Sequence, residues 1–331
     1  MRKTFFLVCS LFLLACFSCS SRDDSTPEWI WGTDSTTTDT TDIDDSIVAL
    51  GWTNVSSDYG TIPSYITVYK SPSYLEDKKA IAYIAVADMS EATFSVLGDS
   101  TGYQYLSDFY SDAKSTIVMN GGFFYNGVSL SLICRNGIVL CPNNQVDSED
   151  WITLYYPTRG AFGKMADGTY STTWTYTTMD GVTYSYPQPA ANKYGNTPLE
   201  TPSSTFPSGA TLFSGNTVIG GGPVLIKDGT IENTYEAELL DINPTSNRPR
   251  SAIGITADNK IIFFVAEGDN MTPNVAGFTT GDVAAIMLSL GCTEAMNLDG
   301  GGSSRMLING NETITPSDES DRKIVTAVSL K

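Results

Sequence analysis

The sequence of 331 residues predicts an α+β protein, built mainly of antiparallel β-sheet with a few helices. Three observations lead to this prediction. Short apolar runs rich in β-branched and aromatic residues recur along the chain, separated by Gly, Asn and Asp. A unit of Gly-Gly, strand and hairpin turn is repeated within the chain, and a single stretch has strong helical spacing.

Residues 1–19 are predicted to be an export signal. Arg2 and Lys3 precede an apolar run, residues 5–17, that is too short to span a bilayer but suits a signal peptide. The run ends in Leu-Leu-Ala-Cys, a pattern typical of bacterial lipoprotein signals, so cleavage is expected before Cys16 or, alternatively, before Cys19. An ordinary secretory signal is the other alternative. The expected location is extracytoplasmic, lipid-anchored to the bacterial cell envelope at the outer membrane or cell surface, with the N-terminal lipid as the only membrane contact.

The rest of the chain divides into a tether and one domain. Residues 20–46 are rich in Ser, Thr and Asp, which bury too little apolar area to offset the entropy of ordering, so a flexible tether is predicted. Residues 47–331 are predicted to form the domain, with a Thr- and Tyr-rich insertion at 169–215. Its tyrosines either pack on the sheet, which we favour, or form an aromatic wall for a sugar. Cysteines 134, 141 and 292 are an odd number, so we expect a 134–141 bridge or three buried thiols.

The repeated unit occurs three times. Gly-Gly pairs at 121–122, 221–222 and 301–302 each precede a short apolar strand and an Asn-Gly or Asp-Gly dipeptide, which is a strong hairpin signal. A longer block that begins Arg-x-Ala-x-Gly at Arg159 aligns without gaps to one that begins at Arg250. If these are true repeats, equivalent hairpins present their glycines toward one region.

The helical stretch follows Thr279. Thr279 and Asp282 have the spacing of a capping box, an apolar i, i+3, i+4, i+7 stripe begins at Val283, and Gly291 supplies a stop. The next strand, predicted from Thr293, runs into a Gly-rich loop of the kind where ligands commonly bind. Further strands are predicted at Tyr65–Tyr69, Ala80–Ala87, Thr93–Leu97, Ile117–Met119, Ile261–Ala266 and Ile324–Leu330.

Charge and composition exclude several classes of function. The formal net charge of −18 opposes binding to nucleic acid, which depends on neutralising phosphates with cations. The chain has no histidine, which excludes Ser-His-Asp and Cys-His catalysis and every imidazole metal site. Acid–base chemistry must use Asp, Glu, Tyr, Lys, Cys or water. No cofactor is expected, and Ca²⁺ lacks support because the Asp-rich stretches do not have EF-hand spacing.

Two carboxylates and a Gly-rich loop are the candidates for chemistry. Asp299 and Glu267 each adjoin glycine at the end of a predicted strand, where a pair of carboxylates suits work on a glycosidic bond, although either could instead cap a turn. The loop Gly300–Ser304 offers successive N–H groups and two hydroxyls to an anion. Arg250, with Arg305 or Arg322, could bind a phosphate bidentately or form surface ion pairs.

Five motifs follow one another along the chain: Asn120–Phe124, Gly220–Gly229, Pro249–Gly254, Met296–Ser304, and Pro316–Asp318 with Arg322. In this order they resemble the phosphodiester glycosidase family over roughly residues 115–331. The run from Asn297 to Ser304 is the most specific of them. In two places the sequence departs from the family pattern: Glu267-Gly268 stands where Asp-Gly is more usual, and residues 323–328 replace a Val-Ala-Asn-Ala-like ending.

The resemblance implies a hydrolase that cleaves the glycosidic C1–O bond of sugar-1-phosphodiesters, for example GlcNAc-1-phosphodiesters, on cell-surface or exogenous glycans. Bacterial members are linked to exopolysaccharide and cell-wall metabolism. The implied partner is a sugar-phosphate glycan substrate, with Asp299 as the main carboxylate and Glu267 as its catalytic partner. A non-catalytic glycan-binding surface lipoprotein is the alternative. Together the residues and the resemblance assign substrate binding to Asn120, Gly121, Gly122, Arg250, Asn297, Gly300, Gly301, Gly302, Ser303, Ser304, Asp318 and Arg322.

Overall fold

The structure, a computed structural model, describes residues 43–318 and 321–331. Three α-helices lie in this part of the chain, at Ile43–Ala49, Leu106–Ala113 and Thr280–Ser289. Short 3₁₀ turns occur at Ser56–Tyr59 and Gly301–Ser303. Within the described ranges, no helix is long and apolar enough to cross a membrane. The predicted signal peptide, and the tether up to residue 42, lie outside the described residues.

Antiparallel sheets of eight, seven and five strands form most of the fold, which confirms the predicted class. In spatial order, the eight-stranded sheet consists of Thr53–Asn54, Ile66–Lys70, Ala82–Asp88, Lys260–Ala266, Arg250–Thr256, Cys292–Asn297, Val224–Lys227 and Thr230–Ile231. The seven-stranded sheet consists of Ile138–Cys141, Ile133–Arg135, Gly215–Gly220, Arg159–Met165, Tyr170–Thr177, Thr183–Tyr186 and Thr211–Leu212. The five-stranded sheet consists of Asn311–Glu312, Met306–Ile308, Ile117–Asn120, Thr326–Leu330 and Phe94–Gly98, and two-stranded ribbons pair Tyr74–Leu75 with Lys78–Lys79 and Phe124–Tyr125 with Val128–Ser129.

The threefold repeat is confirmed, and each copy forms the edge of a different sheet. Its hairpin turns lie at 136–137, 228–229 and 309–310. In each turn both residues have positive φ, near 50° for the Asn or Asp and 73° to 81° for the Gly. Such turns match the right-handed twist of the flanking strands, which is why Asn-Gly and Asp-Gly were informative.

The main core lies between the three sheets, and smaller cores lie under the helices. The central cluster combines apolar side chains of all three sheets, among them Phe94, Phe162 and Phe263. A second cluster packs helices Ile43–Ala49 and Thr280–Ser289 on the outer face of the eight-stranded sheet. The strand Lys260–Ala266 is therefore covered on both faces, which explains its unbroken apolar run.

The helix Thr280–Ser289 begins as predicted. Thr279 Oγ1 accepts from Asp282 N–H at 3.1 Å, and the Asp282 carboxylate accepts from Thr279 N–H at 2.7 Å. The other two helices were not predicted. Residues 43–46, expected to end the tether, form the first turn of a helix because Ile47 anchors it in the core.

The insertion extends the seven-stranded sheet. Trp174, Tyr176 and Tyr186 are buried there, as expected for tyrosines and tryptophan that pack on a sheet. The three described cysteines are free and buried, and burial raises the pKa of the Cys134 thiol to about 11.

Candidate active site

A pocket of about 320 Å³ opens where the Gly-rich loop meets the start of strand Arg250–Thr256. Its lining combines carboxylates and guanidinium groups with the backbone of the loop. The pocket thus offers both a group for acid–base chemistry and positive charge for an anion. The lining residues are Phe123, Ile242, Asn243, Arg248, Arg250, Asp269, Asp299, Gly300, Gly301, Gly302, Ser317 and Asp318.

The Gly-Gly pairs converge behind this pocket, as the repeat predicted. Asp299 N–H donates to Gly121 O at 3.1 Å, and Gly222 N–H donates to Asn297 O at 2.7 Å. These contacts leave no room for side chains: a Cβ on Gly221 would lie 2.6 Å from Asn297 O. The glycines therefore allow the strand that ends in Asp299 to pack directly against two other backbone segments.

Asn120 holds Asp299 in place from inside the protein. It is 1 % exposed, and its Nδ2 donates to Asp299 O at 2.7 Å. Its Oδ1 accepts from Ser251 Oγ at 2.6 Å and from Arg305 N–H at 3.2 Å. Asn120 thus connects three sequence motifs, and it acts by positioning Asp299 rather than by lining the pocket.

The carboxyl of Asp299 has a raised pKa. Burial raises the pKa of Asp299 to about 6, because a charged carboxylate loses its hydration there. The Ser303 hydroxyl, the positive charge of Arg322 and the N–H of Gly300, 3.0 Å from Oδ1, act in the opposite direction. The side chain therefore changes its protonation state near neutral pH, as a catalytic acid or base should.

The Gly-rich loop uses most of its N–H groups internally. Gly301 N–H donates to Pro249 O at 2.9 Å, and the N–H groups of Ser303 and Ser304 donate back to the loop at 3.1 and 3.0 Å. An anion would therefore find few free N–H donors in the loop. In the part of the chain that the structure describes, Ser304 Oγ is buried without a hydrogen-bond partner, as is Asn297 Oδ1.

Gly302 makes room for Asp318. A Cβ at Gly302 would lie 2.4 Å from Asp318 Oδ2, so this carboxylate packs against the loop backbone. Asp318 also accepts from Arg322 Nη1 at 3.2 Å, and the Arg322 guanidinium lies 5.6 Å from the Phe124 ring centroid. The third predicted arginine, Arg305, is bound by Glu312 and Asp321, as an ion-pair residue would be.

Arg250 reaches the pocket but is largely committed to the fold. It is 2 % exposed, and four of its N–H donors are bound by the carbonyls of Phe278, Ile242, Asn243 and Ser246, at 2.7–3.2 Å. Burial, with the nearby charge of Arg248, lowers the pKa of Arg250 to about 10, so it stays positive at neutral pH. Arg250 therefore supplies charge to the pocket and positions its wall, while few donors remain for a bidentate phosphate contact.

Glu267 is placed differently from Asp299. It is 1 % exposed and is absent from the pocket lining. Its Oε1 accepts from Thr272 N–H at 2.7 Å and its Oε2 from Thr315 N–H at 3.1 Å. The geometry gives Glu267 a role in joining two loops, and its catalytic role stays a prediction.

Two charged residues of the pocket were missed by the sequence analysis. Arg248 and Asp269 both line it and form an ion pair at 3.2 Å. Arg248 lies two positions from Arg250, and Asp269 lies two positions from Glu267. The sequence motifs therefore indicate the right segments, but only the tertiary structure shows which charged residue of each segment faces the pocket. Among the described residues, no group of three or more Cys, Asp or Glu side chains is arranged to hold a metal ion.

Glu238 is a third missed residue, behind the site. It is fully buried and accepts from the N–H groups of Gly160 and Val224 at 2.8 and 2.9 Å and from Trp174 Nε1 at 3.1 Å. Burial raises the pKa of Glu238. Its Oε2 would lie 2.7 Å from a Cβ on Gly222, so it packs against the glycine pair that contacts Asn297.

Known proteins share this fold and part of this sequence. A Bacillus subtilis (strain 168) SPbeta prophage-derived uncharacterized protein, YomE, is 30 % identical over 106 residues, which is 32 % of this chain and 16 % of that protein. This chain thus spans well under two thirds of that relative's length.

Solved structures extend the likeness to most of the chain. A hypothetical protein from Synechocystis has a TM-score of 0.55 at 16 % identity, covering 82 % of this chain and 64 % of its own. The catalytic domain of zebrafish N-acetylglucosamine-1-phosphodiester α-N-acetylglucosaminidase, auto-inhibited by its pro-peptide, has a TM-score of 0.56 at 20 % identity, covering 82 % and 85 %. At these identities the likeness shows the fold.

The family follows from the sequence match. The phosphodiester glycosidase family profile matches residues 113–331, well over half of the chain. This range contains every pocket residue described above, from Phe123 to Asp318. The chain therefore belongs to the phosphodiester glycosidase family.

Proposed function

We propose that this protein hydrolyses the glycosidic C1–O bond of sugar-1-phosphodiesters, GlcNAc-1-phosphodiesters among them. The observation that supports this most directly is the position of Asp299. Its carboxyl, with a pKa of about 6, lines a pocket that also contains Arg248 and Arg250. A carboxylate beside fixed positive charge suits attack at a sugar carbon whose leaving group is an anion.

The leaving group decides what the carboxylate must do. A phosphomonoester leaves as a stable anion, so its oxygen needs little help from a general acid. The reaction instead needs a nucleophile or a general base at the sugar C1, and in both roles the carboxylate must be ionised. With a pKa of about 6, most Asp299 carboxyls are ionised at neutral pH and remain basic enough to accept a proton from water.

Positive charge supports departure of the phosphate. Arg248, an exposed side chain on the pocket wall, can contact phosphate oxygens once its ion pair with Asp269 loosens. Arg250 adds its charge from within the wall. Charge that develops on the leaving phosphate would be stabilised by these groups in the transition state.

A second carboxylate is available in the same pocket. We propose Asp269 as the partner of Asp299, because Asp269 lines the pocket whereas Glu267 is bound between two loops. Retaining and inverting glycosidases both use two carboxylates. Activity lost in Asp269→Asn but kept in Glu267→Gln would support this assignment, and the reverse result would restore Glu267.

The deciding experiment identifies the bond that breaks. The purified chain is incubated with a GlcNAc-1-phosphodiester in ¹⁸O-labelled water, and the phosphomonoester is analysed by mass spectrometry. Cleavage of C1–O releases free sugar and an unlabelled phosphomonoester. Cleavage of either P–O bond puts label into the phosphate, with free sugar released when the sugar-side bond breaks and sugar-1-phosphate when the other bond breaks, and would refute the proposal.

Asp299→Asn provides the matched variant for this assay. It keeps the shape and one acceptor oxygen for the Gly300 N–H but removes the titratable proton. Loss of sugar release in Asp299→Asn, with retention in the surface variant Asp77→Asn, is expected. Retained turnover in Asp299→Asn would remove this residue from the mechanism, and binding without turnover in the unaltered chain would favour a glycan-binding protein.

We also propose that the protein works outside the cytoplasm, anchored by lipid at Cys16. The support is the Leu-Leu-Ala-Cys pattern after a short apolar run in the N-terminal sequence. The Ser-, Thr- and Asp-rich segment that follows would let the domain reach glycans of the cell surface or its surroundings.

A further inference from the structure

A second and larger cavity lies beside the candidate active site. Its volume is about 600 Å³, and Tyr194, Tyr235, Leu240 and Asp241 are among its lining residues. The segment 239–244 contributes to both cavities: Ile242 and Asn243 line the smaller one, and its other residues line the larger. The two cavities are therefore neighbours that share one wall.

The internal repeat places an arginine on each side of this wall. Arg159 and Arg250 begin the two aligned blocks, and each begins a strand inside its sheet. Arg159 Nη2 donates to Leu239 O at 3.2 Å, whereas Arg250 donates to the carbonyls of Ile242, Asn243 and Ser246. Corresponding positions of the repeat thus fix the same segment from its two ends.

Asp147 and Tyr194, which also line the larger cavity, are held by contacts within the fold. Asp147 accepts from Arg159 Nη2 and exchanges two backbone hydrogen bonds of 2.9 Å with Tyr155. Tyr194 packs edge-to-face on Tyr155, with ring centroids 5.4 Å apart. Since Arg159 Nη2 donates to both Asp147 and Leu239, it holds these two parts of the cavity lining together.

The charge of the larger cavity is opposite to what a phosphate needs. Four carboxylates line it, from Asp147, Glu149, Glu236 and Asp241. Arg159 pairs with Asp147, and Lys193 pairs with Glu236 at 2.6 Å, which leaves Glu149 and Asp241 without an ion pair among the described residues. Arg159 is neutralised here by Asp147, whereas Arg250, its counterpart in the repeat, is bound by neutral carbonyls. The cavity therefore disfavours an anion and favours a hydroxyl-rich or cationic group.

We propose that this larger cavity binds a hexosamine residue with a free ammonium group. This hexosamine belongs to the leaving group, on the other side of the phosphate from the sugar whose C1–O bond breaks. The ammonium would lie against the carboxylates and the tyrosine rings, and sugar hydroxyls would bond to the carboxylate oxygens. The phosphodiester would then lie in the smaller cavity, across segment 239–244. That the hexosamine is part of the substrate rests on the proposed function, whereas the affinity of the larger cavity for a hexosamine does not.

Binding is tested first, without any phosphate. The full chain is titrated by calorimetry with tetramers of glucosamine, N-acetylglucosamine and galacturonic acid. We expect the glucosamine tetramer to bind at least about tenfold more tightly than the other two, about 1.4 kcal/mol. Equal binding of all three tetramers, or no binding of the glucosamine tetramer, would overturn the proposal whether or not the protein is an enzyme.

A matched pair of variants separates this site from the general acidity of the protein. Tyr235→Ala/Asp241→Asn changes the cavity, and Tyr74→Ala/Asp77→Asn makes the same changes at exposed positions of the Tyr74–Lys79 hairpin. We expect a loss of affinity of about tenfold in the first only. Equal losses in both would assign the binding to net charge, and the single variant Asp241→Asn repeats the test if the double variant does not fold.

Kinetics then connect the cavity to turnover. The ratio of kcat/KM for a GlcNAc-1-phosphodiester of a glucosamine trimer to that for a methyl phosphodiester is measured in each variant. Remote binding energy used in the transition state should make this ratio fall about tenfold in Tyr235→Ala/Asp241→Asn. An unchanged ratio would show that the cavity does not hold the substrate, and absence of turnover on both substrates would count against the proposed function alone.

Discussion

Asp299→Asn is expected to abolish turnover and, at the same time, to stabilise the folded protein at neutral pH. In the folded protein the pKa of Asp299 is about 6, compared with 3.8 for an ordinary aspartate. The folded state therefore keeps a proton in a pH window where the unfolded chain has already released it. Stability falls as pH rises through this window, because ionisation is harder in the folded state.

The size of the effect follows from the two pKa values. A difference of this size corresponds to about 3 kcal/mol once both states are ionised, near pH 7, since one pKa unit is about 1.4 kcal/mol. At about pH 4 the cost falls to roughly 0.6 kcal/mol, because Asp299 is then almost fully protonated in the folded state. Asparagine has no proton to release, so the variant avoids the whole cost.

The assay is urea unfolding of both proteins, followed by fluorescence across the range from about pH 4 to 8. The stability advantage of Asp299→Asn should grow from a few tenths of a kcal/mol to about 3 kcal/mol over this range. Asp77→Asn, at an exposed hairpin position, is the control and should show no such growth. A constant difference across the range would refute the argument that burial of Asp299 destabilises its charged form.

Three other predictions concern the roles assigned to single residues. Arg322→Ala should shift the acidic limb of the pH profile of kcat/KM, expected near pH 6, upward by about 0.5 pH unit, because Arg322 favours the charged form of Asp299 across solvent. An unchanged limb would mean that the ionisation of Asp299 does not set it. Glu267→Gln should lose about 1–3 kcal/mol of unfolding free energy, because the buried carboxylate accepts from the N–H groups of Thr272 and Thr315 and glutamine keeps only one acceptor oxygen. Its kcat per folded molecule should be kept, and a thousandfold loss at unchanged stability would instead make Glu267 catalytic. Cys16→Ser should abolish incorporation of labelled fatty acid while Cys19→Ser keeps it, and the opposite pattern would move the cleavage site to Cys19.

Local patterns in the sequence predicted many of the strands, the three hairpins and the capped helix. These features depend on interactions within a few residues: turn dipeptides that adopt positive φ, alternation of apolar residues, and the reciprocal bonds of Thr279 with Asp282. Family motifs located Asp299 and its loop for a similar reason, since the run of glycines is needed wherever backbone segments pack this closely. Helix Leu106–Ala113 was missed because its apolar face is short, with Leu106 and Phe109 as its buried residues.

The role of each charged group was decided by the tertiary structure. Glu267 and Asp299 both follow strands of one sheet. Thr272, five positions away, and Thr315, in a distant loop, bind Glu267, whereas Asp299 lines the pocket. Arg250 is likewise occupied by carbonyls up to 28 positions away. Whether a charged side chain faces a pocket or satisfies buried backbone depends on segments far apart in sequence, which local patterns do not encode. Local sequence patterns were therefore enough to predict many strands, the three hairpins and the family, whereas contacts in the fold decide which residues can meet a substrate.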